Sequence, residues 1–77
     1  MIDNRPTYTP EILALMHTPD EMIYAKDIAP IVKMKPDVII KYAKENRWPR
    51  DICNYIVSGS HVKFFRVDFL RKGGWIQ

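Results

Sequence analysis

Ala25-Lys26-Asp27-Ile28-Ala29-Pro30-Ile31-Val32-Lys33-Met34-Lys35-Pro36-Asp37-Val38-Ile39-Ile40-Lys41-Tyr42-Ala43-Lys44-Glu45-Asn46 decides the fold. Its opening places Ile28, Ile31 and Val32 on one face at helical spacing and predicts a helix over 25–32. Pro30 lies inside that window, where it removes a backbone donor and crowds the preceding turn, so a distortion is expected there. After a three-residue connection (Lys33, Met34, Lys35), Pro36-Asp37 opens a second helix. Proline suits the first helical position, and an acid in the first turn complements the helix dipole. This helix is expected to reach about Asn46, with Ile39 and Ala43 inward as an i, i+4 pair. Trp48-Pro49 stops it, because the residue before a proline avoids helical backbone.

Toward the N-terminus, Thr9-Pro10-Glu11 reads as another helix start, with a hydroxyl at the cap and proline at the first position. Ile12, Leu15 and Met16 give that helix an apolar face as far as His17, and Thr18-Pro19-Asp20 breaks it. Tyr8 and Leu13 are spaced for a hydrophobic staple across its start. Met22-Ile23-Tyr24 reads as either a short strand or an extended lead-in.

Toward the C-terminus the period changes. Ile52 to Val57 is rich in β-branched and aromatic residues, Ser58-Gly59-Ser60 is a turn, and Val62-Lys63-Phe64-Phe65 is the returning strand. Alternation puts Val62 and Phe64 on one face and His61, Lys63 and Phe65 on the other. Asp68 to Lys72 forms a last helical turn that Gly73-Gly74 ends. Trp48, Phe64 and Phe69 are expected in the core.

These elements amount to an α+β, mostly helical domain with the order of a winged helix-turn-helix. Residues 1–20 form a leader helix, 22–49 the helix-turn-helix, 52–66 a two-stranded wing hairpin and 67–77 a short C-terminal helix. With 77 residues there is room for one core, and 47% hydrophobic against 27% charged residues is a globular composition. The single Cys53 excludes an internal disulfide and fits a reducing compartment. No run approaches the about 20 apolar residues of a membrane span, and Met1 to Pro6 has no apolar stretch like that of a signal peptide. The expected location is the cytoplasm.

The net charge of +3 is unevenly placed. Residues 1–30 hold two basic and five acidic side chains, whereas residues 31–77 hold ten basic and four acidic ones. A basic half suggests a polyanion partner, and double-stranded DNA fits the element order: a helix about 10–12 Å across enters a major groove about 12 Å wide. On the helix from Pro36, turning Ile39 and Ala43 inward leaves Asp37, Val38, Lys41, Tyr42, Lys44 and Glu45 outside. Lys41 and Lys44 are expected on phosphates, Val38 on a thymine methyl, Tyr42 on a base or sugar or else packed on the wing. Lys35 lies at the helix N-terminus, where backbone amides favour phosphate. Ser58, Ser60 and His61 at the wing tip, with Lys63 and Arg66 beyond, complete the expected DNA-contacting set.

Catalysis has little support. His17, His61 and Cys53 lack the spacing of a zinc site, and neither a glycine-rich phosphate loop nor a nucleophile elbow is present. The expectation is a non-enzyme without metal, cofactor or small-molecule substrate.

Asp27-Ile28-Ala29-Pro30, then Pro36-Asp37 leading to Ile39 and Ala43, then Gly59, Lys63-Phe64-Phe65-Arg66 and Phe69-Leu70, resembles excisionase-type, MerR-like winged helix-turn-helix proteins. Thr9 to Met16 is similar to the leader helix of small phage and bacterial members. The resemblance spans residues 9 to 72. It implies that the helix from Pro36 enters the major groove and that Ser58-Gly59-Ser60 tips the wing. It also implies a phage or mobile-element DNA-binding protein in a bacterial cell or infected host. Such a protein acts either as a recombination directionality factor beside an integrase or further copies of itself, or as a transcription regulator. Three departures stand out. Tyr24 occupies the position of a Ser or Thr cap, and Arg50-Asp51-Ile52-Cys53 reads as an insertion. Lys33 stands where glycine is usual, and left-handed backbone there would cost about 1–2 kcal/mol. A protein-interaction module on the same fold, such as a phage-encoded adaptor or inhibitor, is the alternative, with Val38, Ile40 and Tyr42 as its exposed apolar patch.

Overall fold

A computed structural model describes residues 7–77; residues 1–6, including the segment weighed above as a signal peptide, lie outside the described residues. The elements are α1 (Pro10–His17), β1 (Met22–Ile23), α2 (Ala25–Val32), α3 (Pro36–Lys44), β2 (Tyr55–Ser58), β3 (His61–Phe65) and α4 (Arg66–Lys72). This is a small α+β fold with four helices and one antiparallel sheet among the described residues.

Helix starts follow local chemistry. The Thr9 hydroxyl accepts the Ile12 N–H at 3.3 Å, and prolines open α1 and α3. Tyr24 offers α2 no side-chain cap, but the Asp27 carboxylate accepts the Tyr24 N–H at 2.8 Å and restores half of a capping box. α2 runs unbroken through Pro30. The proline deprives the Lys26 carbonyl of its helical donor, at a residue that is exposed.

Three helices end on a left-handed residue: Lys33 after α2 (φ 59), Asn46 after α3 (φ 57) and Gly74 after α4 (φ 84). At α3, Arg47 N donates to the Tyr42 carbonyl at 2.7 Å and Asn46 N to the Ala43 carbonyl at 3.0 Å, the paired bonds of a Schellman end. α3 therefore stops at Lys44, short of the expected Asn46. Lys33 adopts the strained conformation that its turn position implied.

The sheet order is β1-β3-β2, all antiparallel, so the expected two-stranded hairpin of β2 and β3 gains β1 as a third strand of the sheet. β1 pairs Met22 with Phe65 and Ile23 with Phe64. β2 pairs Tyr55 with Phe64 and Ser58 with His61, across a two-residue Gly59-Ser60 turn. Gly59 takes φ 60 at the first turn position, where a Cβ would be strained though nothing crowds it.

The first hairpin strand begins at Tyr55, not at Ile52. Ile52 N bonds the Pro49 carbonyl at 3.1 Å and closes a turn instead. Asn54 N donates to Asp68 Oδ2 at 2.7 Å, so a side chain of α4 takes the place of a strand partner. α4 begins at Arg66, two residues before the expected Asp68.

The core gathers Ile12 and Leu15 of α1, Ile28 of α2, Ile39 and Ala43 of α3, Val62 and Phe64 of β3, and Phe69 and Leu70 of α4. Trp48 packs edge-on against Phe64 with ring centroids 5.7 Å apart. Tyr8 and Leu13 form no staple; they are 49% and 42% exposed. The Tyr8 hydroxyl instead donates to the Trp75 carbonyl at 3.3 Å, and Trp75 Nε1 donates to the Thr7 carbonyl at 2.9 Å.

Candidate nucleic-acid interface

Burying Ile39 and Ala43 fixes the rotation of α3 about its axis. Asp37, Lys41 and Lys44 then form a solvent stripe opposite the core, and all three are exposed. Lys35 is exposed at the N-cap, its carbonyl receiving the Val38 and Ile39 amides at 3.1 Å. Val38 is half-buried rather than exposed, as are Ile40 and Tyr42, and the last two pack against the core. The apolar patch expected of Val38, Ile40 and Tyr42 is therefore not an exposed surface. The Arg47 guanidinium lies over the Tyr42 ring, 5.4 Å from its centroid, and bonds Glu45 at 3.6 Å. Tyr42 thus packs and carries a cation instead of standing clear for a base.

The hairpin divides the remaining expected residues. Ser58, Ser60 and His61 are exposed at its tip. Lys63 pairs with Ile56 and alternates with buried Val62 and Phe64, so it projects from the outer face of the sheet, away from α3. Arg66 is engaged within the fold. It is the first residue of α4, and its guanidinium donates to the backbone carbonyls of Asp20 (Nε, 2.5 Å) and Leu15 (Nη1, 3.0 Å). Its Nε and Nη1 tie α4 to α1 and to the loop that follows α1.

A groove of about 390 Å³ lies between the start of α2, the start of α3 and the hairpin tip. Its lining includes Tyr24, Lys26, Pro36, Ile40, Ser60 and His61. It brings the hairpin-tip residues against the reading-helix candidate and adds Tyr24 and Lys26, which sequence reasoning passed over. The missing signal was three-dimensional, because Lys26 sits in the acidic half of the chain. Three other clefts each carry carboxylates: Glu21 and Asp68 in one, Asp51 in the second, Asp20 and Asp27 in the third. The groove at the hairpin tip has none.

Arg47 and Arg50 were likewise passed over. Arg50 covers the Tyr55 ring at 4.2 Å, and the Tyr55 hydroxyl donates to Asn46 Oδ1 at 3.0 Å. Lys72 Nζ bonds the Arg50 carbonyl at 2.6 Å and Asp68 at 3.1 Å, locking the connection before β2 onto α4. Burial pushes the Asp68 carboxyl up, but the Asn54 N–H, the Lys72 ammonium and the Arg71 charge together hold it below its ordinary value of 3.8. The buried Cys53 thiol, next to Asn54, is pushed up to about 12 by burial and by the Asp68 charge, against the opposing Phe65 hydrogen bond and Lys72 charge. A thiol so placed stays protonated and inert at neutral pH.

Among the described residues, no three His, Cys, Asp or Glu side chains are grouped to hold a metal ion. No described helix is long and apolar enough to cross a membrane. Comparison with known proteins adds no relative: no protein family, curated protein or solved structure matches the chain.

Proposed function

We propose that the chain is a sequence-specific double-stranded DNA-binding protein of winged helix-turn-helix type. α2 and α3 form the helix-turn-helix, α3 reads the major groove and the β2–β3 hairpin is the wing. The observation that carries the reading is the acid-free groove joining the start of α3 to the hairpin tip, next to the exposed Lys41–Lys44 stripe. The resemblance to excisionase-type and MerR-like proteins supports a phage or mobile-element role. There the protein directs recombination beside an integrase or occupies a promoter, without chemistry of its own.

The test is a titration of labelled duplex DNA across salt concentrations. We expect log K to fall linearly with log salt, with a slope of about −0.9 per phosphate contacted. Lys41→Gln and Lys44→Gln are each expected to reduce the steepness by about one unit. Absence of duplex affinity at low salt overturns the reading. A protein-interaction module is the second reading, now resting on a different observation: Ile56 and Val57 are 45% and 46% exposed on β2, an outer strand of the sheet. That reading predicts a discrete protein complex broken by Ile56→Asp and indifferent to Lys41→Gln.

A further inference from the structure

Tyr24 is 44% exposed and lines the groove at the hairpin tip, yet its ring has no capping duty. Its amide is already held by Asp27 Oδ2, leaving the side chain available to a ligand. Lys26 lines the groove from the same helix, and Ser60 and His61 line it from the hairpin. Ile40, Pro36 and Ala25 supply an apolar floor between these polar rims. A cationic rim, hydroxyl donors and an apolar floor match the alternation of phosphodiester and deoxyribose along a nucleic-acid strand.

Resting on the DNA reading above, we propose that this groove seats one segment of the DNA backbone. Lys26 and His61 flank the phosphate, Tyr24 and Ser60 donate hydroxyl hydrogens to its oxygens, and the sugar lies on Ile40. The charge argument is selective. Of the other three clefts, one carries Asp20 and Asp27 without a cation, and two balance their carboxylates with Arg50 and Arg71 or with Lys72, while this one presents Lys26 and no acid. Asp27, the nearest acid on the same helix, is engaged by the Tyr24 amide. Asp37 lies on the outer stripe of α3 and does not line the groove. The backbone segment seated here would set the angle between α3 and the hairpin on the duplex. Tyr24 and Lys26 thereby act as positioning residues for whatever bases α3 reads.

The experiment uses the full chain and a fluorescein-labelled pool of duplexes of mixed sequence, read by anisotropy. Lys26→Gln, Tyr24→Phe and Arg71→Gln are compared, the last removing a cation from the Glu21–Asp68 cleft. A circular dichroism melt first shows that each variant is folded. Removing one phosphate contact lowers the steepness of the salt dependence by about 0.9. Between about 50 and about 200 mM salt, wild-type affinity should accordingly fall about 3.5-fold further than that of Lys26→Gln. Tyr24→Phe should weaken binding several-fold with an unchanged slope, and Arg71→Gln should match wild type. If Lys26→Gln and Tyr24→Phe behave like Arg71→Gln while Lys41→Gln loses its contact, the groove proposal is overturned and the DNA reading stands. If wild type itself binds no duplex, both fall together.

Discussion

Arg66 shows how far a residue's place in the sequence can mislead about its role. Following Lys63-Phe64-Phe65 in a basic half, it looked like the last cation of a hairpin flank. What decides its role is the pair of carbonyls it meets, Leu15 and Asp20, which are 51 and 46 positions away along the chain. No local spacing encodes such a meeting. Charged donors on carbonyls that lack other partners contribute more to stability than neutral ones. We therefore expect Arg66→Ala to lower stability by about 2 kcal/mol in urea unfolding, because two carbonyls lose their donor. Its salt slope for duplex binding should stay at the wild-type value. A lost salt slope with unchanged urea midpoint would return Arg66 to the DNA face.

At the scale of elements, the helices are legible where a boundary carries residues of definite chemistry, whereas the end of α3 and the start of α4 each fall two residues from the expected place. Thr9-Pro10, Pro36-Asp37 and Gly73-Gly74 mark boundaries that the backbone adopts to within a residue. Val62 and Phe64 likewise declared the inward face of β3 by alternation. Two features are not legible in the sequence for physical reasons, and at β1 the sequence reads as either a strand or an extended lead-in. β1 is two residues long, too short for any period, and exists only because β3 pairs with it. The start of β2 was misplaced because Ile52 and Cys53 are apolar for different reasons: Ile52 sits in a turn, and Cys53 is wholly buried beneath the segment that Asp68 holds. The flanks of α3 were placed outside because one inward line was drawn where the core wraps further around the helix. Of the candidate site, the α3 stripe and hairpin tip were legible, whereas Tyr24 and Lys26 joined it only through packing. The Lys33 helix end makes a separate prediction. Replacing it by glycine relieves left-handed strain of about 1–2 kcal/mol, offset in part by the greater backbone freedom of glycine when unfolded. Lys33→Gly should therefore raise stability by about 0.5–1 kcal/mol, read as a higher urea midpoint. A lower midpoint would mean that the Lys33 side chain makes a stabilising contact.

Across the whole molecule, one continuous core joins all four helices to the sheet, so opening any part of it opens much of the rest. Cys53 can report this. Its thiol is wholly buried and within hydrogen-bonding distance of the Asn54 and Phe65 carbonyls, at 3.1 Å and 3.3 Å. With a pKa of about 12, burial and protonation both protect it at pH 8. The native chain should react with a thiol reagent at least roughly 1,000-fold more slowly than the urea-unfolded chain, in step with global opening. Fast reaction of the folded chain would show that the segment around Cys53 opens by itself.

The two tryptophans differ in a way that an optical experiment can use. Trp48 is buried among Phe64 and its neighbours with an indole N–H that has no hydrogen-bond partner, while the Trp75 indole bonds the Thr7 carbonyl and lies over Gly73. The first should therefore emit from a buried, apolar site and the second from the seam between the two ends of the described chain. The two indoles should accordingly differ in emission colour, Trp48 watching the α3–hairpin junction and Trp75 the terminal seam. Exchanging either for phenylalanine isolates the signal of the other without an added label.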